Sequence, residues 1–316
     1  MSDLSFFIEG GSVIRLKTAG KYCDKDIVIT AEDIMPLIIT GTLERLELDV
    51  SRVNDYACYN FTNLTNVNLP EATEIGEYAF KGCTSLTNLN IPKAIEICQY
   101  AFNGCTSLVD LDLPNVTTIG DYAFRSIGVV NLYLPNAITL GKDAFQRCTS
   151  LMTIDAPKVT SIGEYCFNGN YFQTVSMPEL ITVDKYAFQS CSSIQSFNFP
   201  KLKTIKTYGF YSCGSLRNVT LPSVEKLDTQ SFGKCTALEY AVLSSVTSIG
   251  SSSFSGCTSL QYIDFSGCVS VPTLVSVNAF GNVPATCQFR VPAHLIDEWK
   301  AATNWSSFVD QIVVAE

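Results

Sequence analysis

The chain has 316 residues, 47% of them hydrophobic and only 16% charged, which excludes the composition of a disordered segment. Its net charge of −9 excludes the Lys- and Arg-rich surface that nucleic-acid binding needs. No apolar run reaches the ~18 residues of a membrane span.

In chain order, the first residues, Met1-Ser2-Asp3-Leu4-Ser5-Phe6-Phe7, show neither the basic region nor the apolar length of a signal peptide. Residues 1–40 carry two β-like runs, 13–16 and 26–30, and are read as an N-terminal β cap. From Cys58 onward one phrase returns about every 22 residues. One column reads Cys58, Phe80, Phe102, Phe124, Phe145, Phe167, Phe188, Phe210, Phe232, Phe254, Phe280. A second begins Pro70, Pro92, Pro114, Pro135 and ends Ser244, Ser266, Pro292. A fixed period of this length predicts a solenoid, in which each unit buries its apolar side against its neighbours. The repeats are assigned to residues 41–292. Beyond them, residues 293–303 read as a helix with Leu295, Ile296 and Trp299 on one face, and Trp305 and Phe308 complete a C-terminal helical cap over 293–316.

Within one unit, Leu86, Leu89 and Ile91 carry the spacing L-x-x-L-x-L. The alternation of Leu89 and Ile91 predicts a short strand, with Asn88 and Asn90 pointing away from the core. Pro92 ends it because proline cannot donate to the ladder. Ala79, Phe80 and Cys83 fit one helical turn, Gly76 and Gly82 supply corners, and a short second strand is expected near Ile75. Thirteen cysteines are present, and seven of them follow the Phe column by three residues. Other units place Phe61, Ile127, Asn170 and Val283 there, so the slot is read as mainly a small apolar core position and the thiols are expected to be buried and free. The tyrosine column, Tyr56, Tyr78, Tyr100, Tyr122, Tyr165, Tyr186 and Tyr208, is read as rings that shield the coil edge.

The phrase Ile-Gly-Glu-Tyr-Ala-Phe-Lys-Gly-Cys-Thr-Ser-Leu-Thr-Asn-Leu-Asn-Ile-Pro at 75–92 resembles the repeat of BspA-like bacterial leucine-rich repeat proteins. It recurs with changes at 119–135, 162–178 and 249–266, and the resemblance covers roughly residues 40–292. It implies an α/β solenoid, right-handed and curved, with about eleven coils, a parallel sheet on the concave side, short helical turns opposite and capped ends. Members of that family are often surface proteins of bacteria and some protists, linked to adhesion and to binding host proteins. Residues 18–24 resemble short segments of phage tail and other bacterial structural proteins, which keeps a structural or receptor-binding part of a phage-like particle as the alternative.

The residues offer little chemistry. The single histidine, His294, sits at the start of the cap helix and is read as a surface residue. No C-x-x-C pair, H-E-x-x-H, G-x-G-x-x-G or calcium-loop pattern occurs, so no catalytic residue, cofactor or metal is assigned and the chain is read as no enzyme. Function is placed on the outward strand positions, which are polar and become more aromatic toward the C-terminus. Tyr133, Asp155, Tyr240, Tyr262 and Asp264 are the candidate partner-binding residues, as aromatic anchors beside acceptors. The expected partner is a host or cell-surface protein with basic patches, engaged at a bacterial surface.

Overall fold

The structure, a computed structural model, describes residues 5–8, 13–17, 44–48 and 50–315. The β-like run at 26–30 and the phage-like segment at 18–24 lie outside the described residues. The chain packs as two compact units, 1–151 and 152–316, and is a parallel-strand solenoid of about 12 turns with little helix.

In the first unit, Ser5–Ile8 pairs antiparallel with Val13–Lys17, which pairs parallel with Arg45–Leu48. Asn66–Asn68 and Asn88–Asn90 continue that sheet in parallel. A second ladder of two-residue strands runs Arg52–Val53, Glu74–Ile75, Glu96–Ile97, Thr118–Ile119 and Thr139–Leu140, each pairing parallel with the next. The second residue of each, from Val53 to Leu140, is buried, as two-fold alternation requires.

The third side of each coil departs from expectation. The turn read as helical at Ala79–Cys83 is a run of tight turns: Ala79 N donates to Gly76 O (3.3 Å), Lys81 N to Tyr78 O (3.2 Å) and Cys83 N to Phe80 O (3.2 Å). Tyr78 and Gly82 hold φ of 57° and 77°, which no right-handed helix accommodates. These reversals aim alternate amides along the stacking direction. Tyr78, Phe80 and Gly82 donate to the carbonyls of Gln99, Ala101 and Asn103 in the next coil, at 3.0, 2.8 and 2.8 Å. Coils are therefore tied together on the turn side as well as through the two strand ladders, although Asn88–Asn90 ends its own ladder, and the turn backbone finds partners without helix.

The Phe column fills the middle. Phe80, Phe102, Phe124 and Phe145 are fully buried, with successive ring centroids 5.2, 5.3 and 5.4 Å apart. The cysteine slot lies beside it. Cys83 Sγ donates to Cys58 O at 3.2 Å and Cys105 Sγ to Phe80 O at 3.1 Å, so each thiol serves the carbonyl of the Phe column one coil earlier. These cysteines are free and buried.

The second unit repeats the plan. Thr153–Asp155, Thr174–Ser176 and Ser196–Asn198 form one parallel set; Asn218–Thr220, Tyr240–Val242, Tyr262–Asp264, Gln288–Val291 and Ile312–Val314 form another. Phe167, Phe188, Phe210, Phe232 and Phe254 stack at centroid distances of 5.0–5.5 Å. The closing segment has a 3-10 turn at Ala293–Leu295 and an α-helix at Ile296–Ala301, shorter than the helix expected over 293–303. Trp299 and Trp305 are fully buried 5.4 Å apart, and Trp305 Nε1 donates to Pro272 O at 2.8 Å.

Candidate functional site

Three of the five candidate residues come together in the second unit. Tyr240 and Tyr262 are register partners on adjacent parallel strands, and strand alternation turns both to the same face as Asp264. Their rings stack with centroids 5.3 Å apart and planes only 4° off parallel. Asp264 Oδ1 accepts the Ser266 N–H at 2.7 Å, which fixes the carboxylate just past the strand end.

Arg290 extends this row. It is the register partner of Asp264, and its guanidinium lies 3.9 Å from the Tyr262 ring centroid. Gln288 Oε1 accepts from Arg290 Nε and Nη2, each at 3.3 Å, and so holds the fork over the ring. A guanidinium placed over a tyrosine face is attracted by the ring quadrupole, worth about 0.5–1 kcal/mol where exposed. The arrangement is an ordered row of two tyrosines and a guanidinium, half-buried on the strand face, with Asp264 beside it. Its residues present planar surface together with hydrogen-bonding groups, and nothing in it activates a nucleophile.

The remaining two candidates stand apart from this row. Asp155 is exposed on Thr153–Asp155, four coils before Tyr240 and on the order of 20 Å away at the usual strand spacing. Tyr133 belongs to the other unit, 57% exposed, where its backbone bridges to Asp112. Arg290 is the residue that sequence reasoning missed. The final repeat carries an insertion, so counting forward from Tyr262 by the usual period does not land on Gln288 and Arg290. The strand pattern of Gln288-Phe289-Arg290, apolar between two polar residues, is the signal that identifies it.

The tyrosine column is a second ordered feature. In the first unit Tyr56, Tyr78, Tyr100 and Tyr122 stack at 4.7, 4.6 and 4.5 Å, and Lys81 Nζ lies 5.1 and 5.0 Å from the Tyr78 and Tyr100 rings. The column covers the turn edge, as its amphipathic rings suggest.

His294 is exposed on the 3-10 turn. Among the described residues no group of three or more His, Cys, Asp or Glu is placed to hold a metal ion, and no helix is long and apolar enough to cross a membrane.

Comparison with known proteins gives the family. No curated protein matches the chain. Among solved structures, a leucine rich cell surface protein from Faecalibacterium prausnitzii A2-165 is 19% identical, with 96% of this chain and 95% of that one covered and a TM-score of 0.45. A leucine-rich repeat protein from Bacteroides ovatus ATCC 8483 is 19% identical over 100% and 99% of the two chains, with a TM-score of 0.41. The pneumococcal vaccine antigen PcpA is 17% identical over 87% and 78%, with a TM-score of 0.48. The BspA type leucine rich repeat region matches in six copies, over residues 51–171, 117–239 and 160–286. These matches span well over half of the sequence, and the chain belongs to the BspA type leucine rich repeat family.

Proposed function

We propose that this chain is a non-catalytic protein-binding module of a bacterial surface, acting in adhesion through the strand face of its second unit. The observation that carries the reading is the row Tyr240–Tyr262–Arg290 with Asp264 beside it. Binding energy at protein interfaces concentrates in tyrosine, tryptophan and arginine that are already held in place. Here stacking and the Gln288 contact restrain side chains that would otherwise lose rotamer freedom on association. Leucine-rich repeat proteins generally bind protein partners, and the family indicates no enzyme. The net charge of −9 favours a partner with basic patches, of the host or cell-surface kind. Residues 1–40 and 293–316 serve as caps of the repeat region at 41–292. Asp155 and Tyr133 are assigned peripheral contacts on their own strand faces.

The test is capture of surface proteins from host or neighbouring cells on the immobilised full chain, followed by affinity measurement with the captured protein. Tyr240→Ala with Tyr262→Ala, in one folded variant, is expected to cost about 2 kcal/mol or more, roughly thirtyfold in Kd. Arg290→Ala alone is expected to weaken binding as well. A double variant that folds and binds unchanged removes this face from the function.

A further inference from the structure

The strand face of the first unit has a different chemistry from the Tyr–Arg row and is considered independently of it. It holds a groove of about 500 Å³ whose lining runs from Arg45 to Asn131. The groove forms where the sheet is interrupted. Asn88–Asn90 is the last strand of the five-stranded sheet, and on this face the next coil meets its successor through an isolated bridge between Asp112 and Tyr133 and the Val130 N to Val109 O hydrogen bond of 3.2 Å. At this opening Leu89 is half-exposed, whereas Val67, its register partner one coil earlier, is buried.

The lining is an ordered array of hydrogen-bonding groups. Asn88 Nδ2 donates to Asn66 Oδ1 at 3.2 Å, and Asn90 Nδ2 donates to Asn68 Oδ1 at 2.7 Å. These two rungs orient the amides in the same direction. One end of the array therefore presents the N–H groups of Asn66 and Asn68, and the other presents the carbonyl oxygens of Asn88 and Asn90. The following coil carries exposed Asp110 and Asp112 at the equivalent positions, and ionised carboxylates only accept. Acceptors thus accumulate at the opening beside the remaining amide N–H of Asn90, with the amides of Asn66 and Asn68 one coil away. Tyr133, on the same strand as the lining residue Asn131, stands at the rim beside Asp112.

We infer that this groove is a binding site for a neutral oligosaccharide, with the hydroxyls of pyranose rings bound by the Asn66–Asn88 and Asn68–Asn90 rungs and by Asp110 and Asp112. A hydroxyl both donates and accepts, so neighbouring hydroxyls on one ring can give protons to a carboxylate and take an N–H from an amide. An ammonium group only donates and leaves the amide N–H end unmatched. The C–H face of a sugar ring suits the exposed Tyr133 ring at the rim. The volume falls within the range of small-ligand sites, and apart from Arg45 the lining carries none of the aromatic or arginine side chains that dominate protein interfaces.

The test uses the full chain and saturation-transfer NMR with a panel of short neutral oligosaccharides of gluco-, galacto-, manno- and xylo-configuration. Spermine and oligolysine are run beside them. Saturable binding of at least one neutral oligosaccharide is expected, nearly independent of salt. Asp112→Ala and Asn90→Ala should each weaken it about tenfold, the consequence of losing one or more hydrogen bonds to ligand. Asp112→Asn serves as a shape-preserving variant, with a thermal melt confirming each fold, and Tyr240→Ala should leave sugar binding unchanged. Absence of binding across the neutral panel overturns the inference. So does binding confined to spermine or oligolysine with steep salt dependence, and so does sugar binding that folded groove variants do not alter.

Discussion

Tyrosine is an unusual residue to hold at φ between 57° and 61°, yet the column does so at Tyr56, Tyr78, Tyr100, Tyr122, Tyr165, Tyr186 and Tyr208. The left-handed region costs an L-residue roughly 1–2 kcal/mol, and stacking on a neighbour returns about 0.5–1.5 kcal/mol per pair. The ring is thus present to offset the backbone it sits on. Tyr78→Ala keeps the strain and loses both stacks, and should destabilise by about 1–3 kcal/mol. Tyr78→Gly loses the stacks but relieves the strain, and should be less destabilising than the alanine variant by about 1 kcal/mol. Urea unfolding of the pair checks this, and equal losses would remove the strain argument. The cysteines act at the same level. Burial pushes the Cys83, Cys148 and Cys191 thiols up to about 12, while unfolded thiols ionise near ~8.5. The folded state therefore keeps protons that the unfolded state releases. Stability from these groups is complete below ~pH 8.5 and falls as pH rises toward 12. The thermal midpoint should drop between pH 8 and pH 9.5, and thiol reagents should reach Cys83, Cys148 and Cys191 only after unfolding. A midpoint constant over that interval would contradict the burial of the ladder.

The segment from Gly76 to Leu86 shows why the sequence suggested a helix and the chain did not form one. Ala79, Phe80 and Cys83 have helical spacing, and the amides of Ala79 and Cys83 do bond backward three residues. The positive φ at Tyr78 and Gly82 then turns alternate amides outward to the next coil. Gly82 was a visible signal for such a turn; Tyr78 was not, because aromatic residues rarely occupy that region. At the other end of the chain the two buried tryptophans differ in one respect. Trp305 Nε1 donates to Pro272 O, whereas Trp299 Nε1 has no hydrogen-bond partner. Both Trp→Phe changes remove similar packing. Trp305→Phe also leaves a buried carbonyl without its donor, so it should cost about 1–3 kcal/mol more than Trp299→Phe. Denaturant titration of the two variants measures that difference, and parity between them would place the closing segment's stability in packing alone.

Much of the fold was legible because a solenoid writes its contacts into a period. Within each unit each Phe of the column meets the next, the thiols of the cysteine slot meet the carbonyl one coil earlier, and strand alternation separates Leu89 from Asn88 and Asn90. The candidate site was legible where that period held, at Tyr240, Tyr262 and Asp264. It was lost at Arg290, where the lengthened last repeat shifts the count. The groove in the first unit was not legible at all: 110–113 alternates aspartate and leucine as regularly as its neighbours alternate, and only the pairing shows that its ladder is open. The proposed function rests on side chains of the strand face that point away from the core. Hydrogen–deuterium exchange of the full chain, alone and with its captured protein partner, tests this most directly. The account predicts added protection concentrated on the strands Tyr240–Val242, Tyr262–Asp264 and Gln288–Val291 with their flanking turns. Protection concentrated instead on the turn segments that carry the tyrosine column, with those three strands unchanged, would contradict it.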